Sequence, residues 1–322
     1  MAAKSKTANL PSTKGISMER LQSLCRVVEA EGISKACATH EMDMGQVSRQ
    51  LKELEAYFDQ PLLAAKGKRE FQLSEFGQRV YQVASGFFNE IARLRQEAQS
   101  LPERCVIAAG VGLVPWLIIP RCEALFNMKK DIHFEFTKKR SQEIVDGVLC
   151  NQIDFGLVRQ SAITDDRIGF CKLGEMEFAL FVSKATGRKY DLGTAATAEE
   201  ILRKVPLVLI NGDGEFRKRI ESHSKSRTWG LEPVMEYESF VDAANAIANG
   251  AFCSVLPKIA ISQLPPDKFY SQPWKSVELK RTICLIWNAT RPSNRIPEGL
   301  KFIQELKKIL AFHSVHGPGK PV

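Results

Sequence analysis

The segment DMGQVSRQLKELEAYFDQPLL, Asp43 to Leu63, carries a set of side chains suited to reading another molecule. Its residues Val47, Leu51, Leu54 and Phe58 fall within a narrow arc at helical spacing, which predicts an amphipathic helix resting on a small core. Gly45, Gln46, Arg49, Lys52 and Glu53 then point outward, with Met44 and Ser48 at the leading edge and flank. The chemistry of that face is hydrogen bonding. Glutamine can bond adenine in two places, and serine and arginine suit phosphates or guanine. An ordinary solvated helix surface has the same composition, so the surrounding elements must decide.

Those elements are short helices and a hairpin. Met18 to Glu31 carries Leu21, Leu24, Cys25 and Val28, a helical stripe that Gly32 stops. Ser34 is the expected cap of a second helix, SKACATHEM, where Ala36 and Cys37 are small enough for close packing. Asp43 is the expected cap of the third. The sum is a helix-turn-helix, whose third helix can enter a major groove. Pro61-Leu62-Leu63 and Phe71-Gln72-Leu73 flank KGKR, Lys66 to Arg69. That pattern predicts a hairpin with cations at its tip, lying along a phosphate backbone. The expected DNA contacts are Ser34, Lys35, Met44, Gly45, Gln46, Ser48, Arg49, Lys52, Lys66, Lys68 and Arg69. Ser74 starts a long helix to about Gln99 with Phe76, Val80, Val83, Phe87, Ile91, Leu94 and Ala98 in one stripe. So narrow a stripe wants a partner helix, and pairing with a second copy is the economical answer.

Composition bounds the rest. The chain has 322 residues, 44% hydrophobic and 25% charged, which describes a globular protein of two or three domains. Its net charge of +8 is spread out: residues 1–72 hold 11 Lys and Arg against 9 Asp and Glu. Bulk charge therefore does not locate a nucleic-acid surface. The 8 cysteines are scattered without a CxxC, and the 5 histidines show no helical pairing, which argues against a zinc site or a disulfide framework. No cofactor is expected. MAAKSKTANLPSTKGI lacks the apolar run of a secretory signal and reads as a loose arm, no segment has the length of a membrane span, and the expected location is the cytoplasm.

The run EGISKACATHEMDMGQVSRQLKELEAYFDQPLL, continued by Leu73 to Gly77, resembles the winged helix-turn-helix of LysR-type transcriptional regulators. Ala36, Ser48-Arg49-Gln50, Leu54-Glu55, Leu62 and LSEFG match that family's pattern in order. Asp43-Met44-Gly45 departs from the family's Ser-Gln-Pro, so a common base-contacting glutamine is replaced by methionine. His40 stands where the family buries a leucine, and Leu63-Ala64-Ala65 replaces Phe-x-Arg before the wing. The resemblance implies the docking geometry and leaves operator preference open.

After Leu101-Pro102, β-branched runs alternate with helical segments: CVIAA, IHFEFT, IDFGLV, FALFVS, PLVLI, PVMEYES, FCSVLP and RTICLIWNA read as strands. PRCEALFNM and SQEIVDGVLC read as crossover helices, giving α/β architecture with parallel sheets in two small units. The LysR-type family has such a portion, two similar Rossmann-like α/β subdomains resembling periplasmic solute-binding proteins with an effector cleft between them. PRCEALF, IVDGVLCNQIDFGLV and VDAANAIANGAFCSVLP stand where that family has corresponding motifs. Ligands in these folds bind at strand carboxyl ends beside helix N-termini. Gly112, Leu113, Lys138, Ser141, Phe216, Arg217 and Phe252 are the expected effector contacts. Lys138-Lys139-Arg140 and Arg217-Lys218-Arg219 favour an anionic effector, and Leu113, Val114 and Phe252 an apolar body. A solvated basic surface explains any single one of these cations as well.

The expected organisation is therefore a winged helix-turn-helix over 17–73, a linker and dimerisation helix over 74–100, and an effector-binding domain over 102–312. HSVHGPGKPV reads as a disordered tail. There is no G-x-S-x-G, no P-loop and no GxGxxG after a strand, so no enzyme is expected. The function expected is a DNA-binding regulator, homodimeric or homotetrameric, tuned by a small-molecule effector, with RNA polymerase open as a further partner. The rivals are a solute-binding protein, which would have no use for the first ninety or so residues, and a regulator whose cleft is filled.

Overall fold

A computed structural model of the chain describes residues 15–64, 71–99, 103–193, 196–211, 232–274, 280–290 and 299–312, with Lys218, Ile220 and Ser222. The expected arm before Gly15, the expected wing tip with Lys66, Lys68 and Arg69, the expected effector contacts Phe216 and Arg217, and the expected tail after Phe312 lie outside the described residues. The chain divides into one unit of residues 1–101 with 149–152 and a second of residues 102–148 with 153–322.

In the first unit the helical stripes become α1 (Met18–Glu29), α2 (Ile33–His40) and α3 (Met44–Phe58). Leu24, Val27, Ala36, Val47, Leu51, Leu54 and Leu62 close the core between them. Asp43 Oδ1 accepts the Gln46 backbone N–H at 2.7 Å, so the third helix is capped as expected. The cap of α2 differs from expectation. Gly32, at φ 145°, holds the N-cap position without a side-chain bond, and Ser34 sits inside the first turn. The backbone leaving α1 needs a positive φ there, which glycine supplies and serine does not. His40 is exposed, so its departure from the family's leucine leaves no polar group in this core.

The residues joining head to hairpin are held by short-range polar bonds. Leu63 bridges Leu73 in antiparallel fashion, and Ala64 N–H donates to the Gln72 carbonyl at 2.9 Å. Glu55 Oε1 accepts the Leu62 N–H at 2.8 Å. Ser74 Oγ donates to the Pro61 carbonyl at 2.5 Å and accepts the Gly77 N–H at 2.8 Å, capping α4 (Glu75–Ala98). The predicted α4 stripe then divides. Phe76 and Val80 pack on the head core, while Val83, Phe87, Ile91 and Leu94 are 69%, 42%, 44% and 50% exposed.

The second unit is a nine-stranded sheet in the order β2-β1-β3-β9-β4-β7-β5-β6, with β8 also paired to β4. The strands are β1 (Glu103–Ala109), β2 (Ile132–Lys138), β3 (Phe155–Arg159), β4 (Ile168–Ser183), β5 (Leu207–Ile210), β6 (Met235–Tyr237), β7 (Cys253–Pro257), β8 (Phe269–Gln272) and β9 (Lys280–Asn288). The expectation of parallel sheets holds for β2-β1-β3 and for β7-β5-β6 only. β9 runs antiparallel to β3, and β4 antiparallel to β7, β8 and β9. FALFVS proves to be only the end of a 16-residue strand. Its first part, IGFCKLGEME, buries only Ile168, Leu173 and Met176 among charged residues and glycines and keeps no period of two, a weak strand signal until β9 lies beside it. Helices α5 (Cys122–Met128) and α6 (Ser141–Leu149) accompany the first subdomain. α7 (Lys184–Lys189), α8 (Ala198–Lys204) and the helix Phe240–Asn249 accompany the second, and the last described helix is Gly299–Leu310.

Gly77 is where the head tolerates change least. A Cβ there would stand 2.0 Å from the Leu62 carbonyl oxygen. Alanine normally stabilises a helix interior over glycine by about 1 kcal/mol. Here Gly77→Ala is expected to destabilise the head instead, by about 1–3 kcal/mol, because backbone must shift. Denaturant unfolding measures this, and an unchanged or higher midpoint would show that the strap from Pro61 to Leu63 relaxes freely.

Candidate nucleic-acid interface and effector cleft

The outward face of α3 is built as its periodicity requires. Burying Val47, Leu51 and Leu54 leaves Met44, Gly45, Gln46, Arg49 and Lys52 exposed, with Ser48 half-buried on the flank. Ser34 and Lys35, at the start of α2, are exposed too. Lys35 Nζ lies 3.5 Å from Glu31, an exposed pair of little energetic weight. Glu53 does not belong with the free face. Arg20 of α1 holds it at 2.6 Å, and the Arg49 guanidinium approaches it only at 3.9 Å. Glu53 thus ties the third helix to the first, while Arg49 stays 73% exposed. The N-terminal end of α3 presents a hydrogen-bonding amide, a long apolar side chain and two cations, with its own backbone N–H groups satisfied in part by Asp43.

In the second unit the strands converge on one cavity of about 790 Å³, a volume suited to a small ligand. Gly110 to Leu113 leave the end of β1, Lys139 to Ser141 follow β2, and Leu157 to Arg159 end β3. From the other subdomain come Ile210 and Asn211 after β5, Glu238 to Phe240 after β6, and Pro257 at the end of β7. Met176, Arg281 and Ile283 come from β4 and β9. The parallel strands β1, β2, β3, β5, β6 and β7 thus all deliver their carboxyl ends here, as open α/β sheets do.

Of the expected effector contacts, Gly112, Leu113 and Ser141 line this cavity, and so do Lys139 and Arg140. Lys138 closes the exposed edge strand β2 and is not among the lining residues. Phe252 does not line the cavity. It precedes β7, whose far end reaches the cavity, so it lies about 16 Å back along the strand at about 3.3 Å per residue. Its ring packs over Gly250 instead. Ser141 is the first residue of α6, and the Arg140 N–H is taken by the Glu143 carboxylate at 2.8 Å. Arg159, Arg281, Trp116 and Phe240 are cavity residues that pattern reading missed. Arg159 ends β3 and Arg281 stands near the start of β9, at the margins of apolar runs where periodicity marks only core, and the Arg281 guanidinium sits 5.2 Å from the Phe178 ring centroid. The cavity's charged lining is Lys139, Arg140, Arg159 and Arg281 against Glu238.

Four of the cysteines are poor nucleophiles. Burial pushes the thiols of Cys25 and Cys253 up to about 12, and also raises those of Cys171 and Cys284, so the thiolate is disfavoured at all four. Among the described residues no helix is long and apolar enough to cross a membrane.

The family described as LysR substrate binding domain matches residues 98–308, and the lysR family of bacterial regulatory helix-turn-helix proteins matches residues 18–78. The chain is 23% identical over 252 residues to the HTH-type transcriptional regulator YhjC of Escherichia coli K12, across 76% of this chain and 81% of that protein. Among solved structures, full-length OxyR from Pseudomonas aeruginosa superposes with a TM-score of 0.58 at 16% identity, covering 92% of this chain and 94% of that one. Full-length CbnR, solved with its target DNA, superposes with a TM-score of 0.56 at 20% identity, covering 91% and 100%. These likenesses carry the fold. The two family matches carry the identity: this chain belongs to the LysR family, a DNA-binding transcriptional regulator with a helix-turn-helix head and a substrate-binding domain, and not an enzyme.

Proposed function

We propose that this regulator reads its operator mainly through Gln46 and Arg49, docks on phosphates through Ser34, Lys35, Ser48, Lys52 and the wing cations Lys66, Lys68 and Arg69, and places Met44 and Gly45 against the groove. The observation carrying this reading is the exposed amide-and-guanidinium end of α3 above a buried opposite face. Met44, half exposed where the family carries glutamine, offers an apolar contact suited to a thymine methyl. The domain organisation supporting it is a head over 17–73, a linker helix over 74–100 and an effector domain over 102–312, acting in the cytoplasm. Gln46→Ala is expected to lose about 1–3 kcal/mol of preference between operators while leaving affinity for random DNA nearly unchanged. Lys68→Ala is expected to weaken all sequences alike and to reduce the salt slope by about one counterion. Competition binding against operator and random duplexes distinguishes the two, and equal losses from Gln46→Ala would remove its base-reading role.

The assembly reading rests on α4. Val83, Phe87, Ile91 and Leu94 leave one helix face with large apolar groups in water, each worth about 1.5–3 kcal/mol if buried. A second copy of the same helix supplies the matching surface, giving a homodimer or a homotetramer of paired heads. Val83→Glu with Phe87→Glu is expected to produce monomers and to weaken operator binding together, because charge would enter the seam. An unchanged sedimentation coefficient would show that the face pairs elsewhere.

The effector reading rests on the cleft's four cations against Glu238, set among Leu113, Trp116, Met176, Phe240 and Ile283. That lining suits a small organic anion with an apolar body. Such a ligand shifts the regulator between arrangements only by binding one of them better. Thermal-shift screening of the whole protein against organic anions is expected to return stabilising hits that Arg140→Ala weakens. A panel without any hit, or a hit indifferent to that substitution, would favour a regulator that needs no ligand.

A further inference from the structure

Gln263 follows the short 3-10 turn Lys258–Ser262 of the second subdomain, and its side chain is bonded in two directions. The Trp116 indole N–H donates to Gln263 Oε1 at 2.9 Å. Gln263 Nε2 in turn donates to Asn245 Oδ1 at 2.6 Å. Trp116 belongs to the π-helical turn Val114–Ile118 after β1, in the first subdomain. Asn245 lies on the helix Phe240–Asn249, in the second. A three-residue polar chain therefore crosses from one wall of the cleft to the other.

The bonds are specific in kind. An indole is a donor only, so Gln263 must turn its carbonyl oxygen to Trp116, which leaves its amide N–H groups for Asn245. Trp116 is 4% exposed, so bulk water is not at hand to replace the bond, and an unmet buried donor is costly. The ring itself is seated by Gly112, where a Cβ would come within 3.3 Å of it. Trp116, Gly112 and Ile259, which precedes Gln263 in the same short turn region, all line the cavity. Single π-helical turns are rare and concentrate at functional sites.

We propose that Gln263 is a positioning residue of the effector cleft: by holding the Trp116 indole from the opposite subdomain, it sets the spacing of the two walls that a ligand meets. The meaning of this role rests on the cleft being the effector site, yet the polar chain joins residues of the protein alone and is tested without adding any ligand. A failed anion screen would leave its test untouched, and a failed test would leave the screen untouched.

The variants follow from the bonding. Gln263→Leu keeps the approximate size and deprives both Trp116 and Asn245 of their partner. Gln263→Glu keeps an acceptor for the indole, and Asn245 can turn its amide over to donate to the second carboxylate oxygen. Trp116→Phe identifies the relevant signal among the 4 tryptophans in a nitrogen-15 indole spectrum of the full chain. In Gln263→Leu that signal is expected to move to lower proton frequency and its N–H to exchange about three- to tenfold faster, the weight of one hydrogen bond in the opening equilibrium. Amides of the segments 110–118 and 257–263 are expected to lose protection with it. Gln263→Glu is expected to restore both readouts. Should Gln263→Leu fail to fold, Asn245→Leu, which cuts only the far end of the chain, is expected to move the same signal in the same direction by less. An indole signal unmoved by Gln263→Leu, or by Asn245→Leu in its place, would overturn the proposal, as would a Gln263→Glu protein that behaves like the leucine variant.

Discussion

The antiparallel pairing of β4 with β9 is the constraint on which the effector domain depends. The ladder runs from Ile168 opposite Asn288 to Glu177 opposite Lys280, with its register shifting between Lys172 and Gly174. On one side of that irregularity β4 completes the sheet of β2, β1, β3 and β9. On the other its residues Phe178 to Ser183 pair with β7 and β8 and found the second sheet. Two subdomains that share strands cannot drift apart without losing backbone hydrogen bonds, but a bulge lets them twist about it. The Phe312 N–H donates to the Leu173 carbonyl at 3.1 Å, so the chain after the last described helix occupies a group the bulge would leave unpaired. Met176, Arg281 and Ile283 sit on these same strands and form the floor of the cavity. Floor and bulge lie on the same pair of strands.

The DNA-reading head solves a different problem with less material. Its core is a handful of residues, and its hairpin base is fixed by polar bonds together with the burial of Leu62 and the packing of Leu63, Phe71 and Leu73 on that core. Glu55 holds the Leu62 N–H, Ser74 joins the Pro61 carbonyl to the first turn of α4, and Gly77 gives the Leu62 carbonyl room. Bonds to a carboxylate are worth about 1.5–3 kcal/mol, enough to hold the base of a two-stranded hairpin that would be marginal alone. The same economy frees Gln46, Arg49 and Lys52 from structural duty. Glu53, by contrast, is spent on Arg20.

Much of this was legible in residue order because helices announce themselves locally. Asp43, Leu54-Glu55 and LSEFG act on partners within a few turns or one hairpin of themselves, and each does in three dimensions what its place in the motif implies. Ser34 was misread because serine and glycine compete for the same position, and the choice turned on a backbone φ that residue type does not reveal. Strand runs such as CVIAA and FGLV were equally visible, being apolar throughout in a sheet covered on both faces. IGFCKLGEME was not, since a stretch whose buried residues keep no period of two and which carries two glycines looks like a loop until its neighbour is known.

By itself, then, the sequence determined the helices of the head, the outward face of the third one, most of the strands and the strand ends at which the cavity opens. Those are consequences of periodicities and caps that span a few residues at a time. Only the tertiary structure decided that β9 returns between β3 and β4 against their direction, that Arg159 and Arg281 join Lys139 and Arg140, that Phe252 stands away from the cavity, and that Trp116 meets Gln263. The physical reason is separation along the chain. Trp116 and Gln263 are 147 residues apart, and no local preference of either records a hydrogen bond that exists only once two subdomains have closed on shared strands.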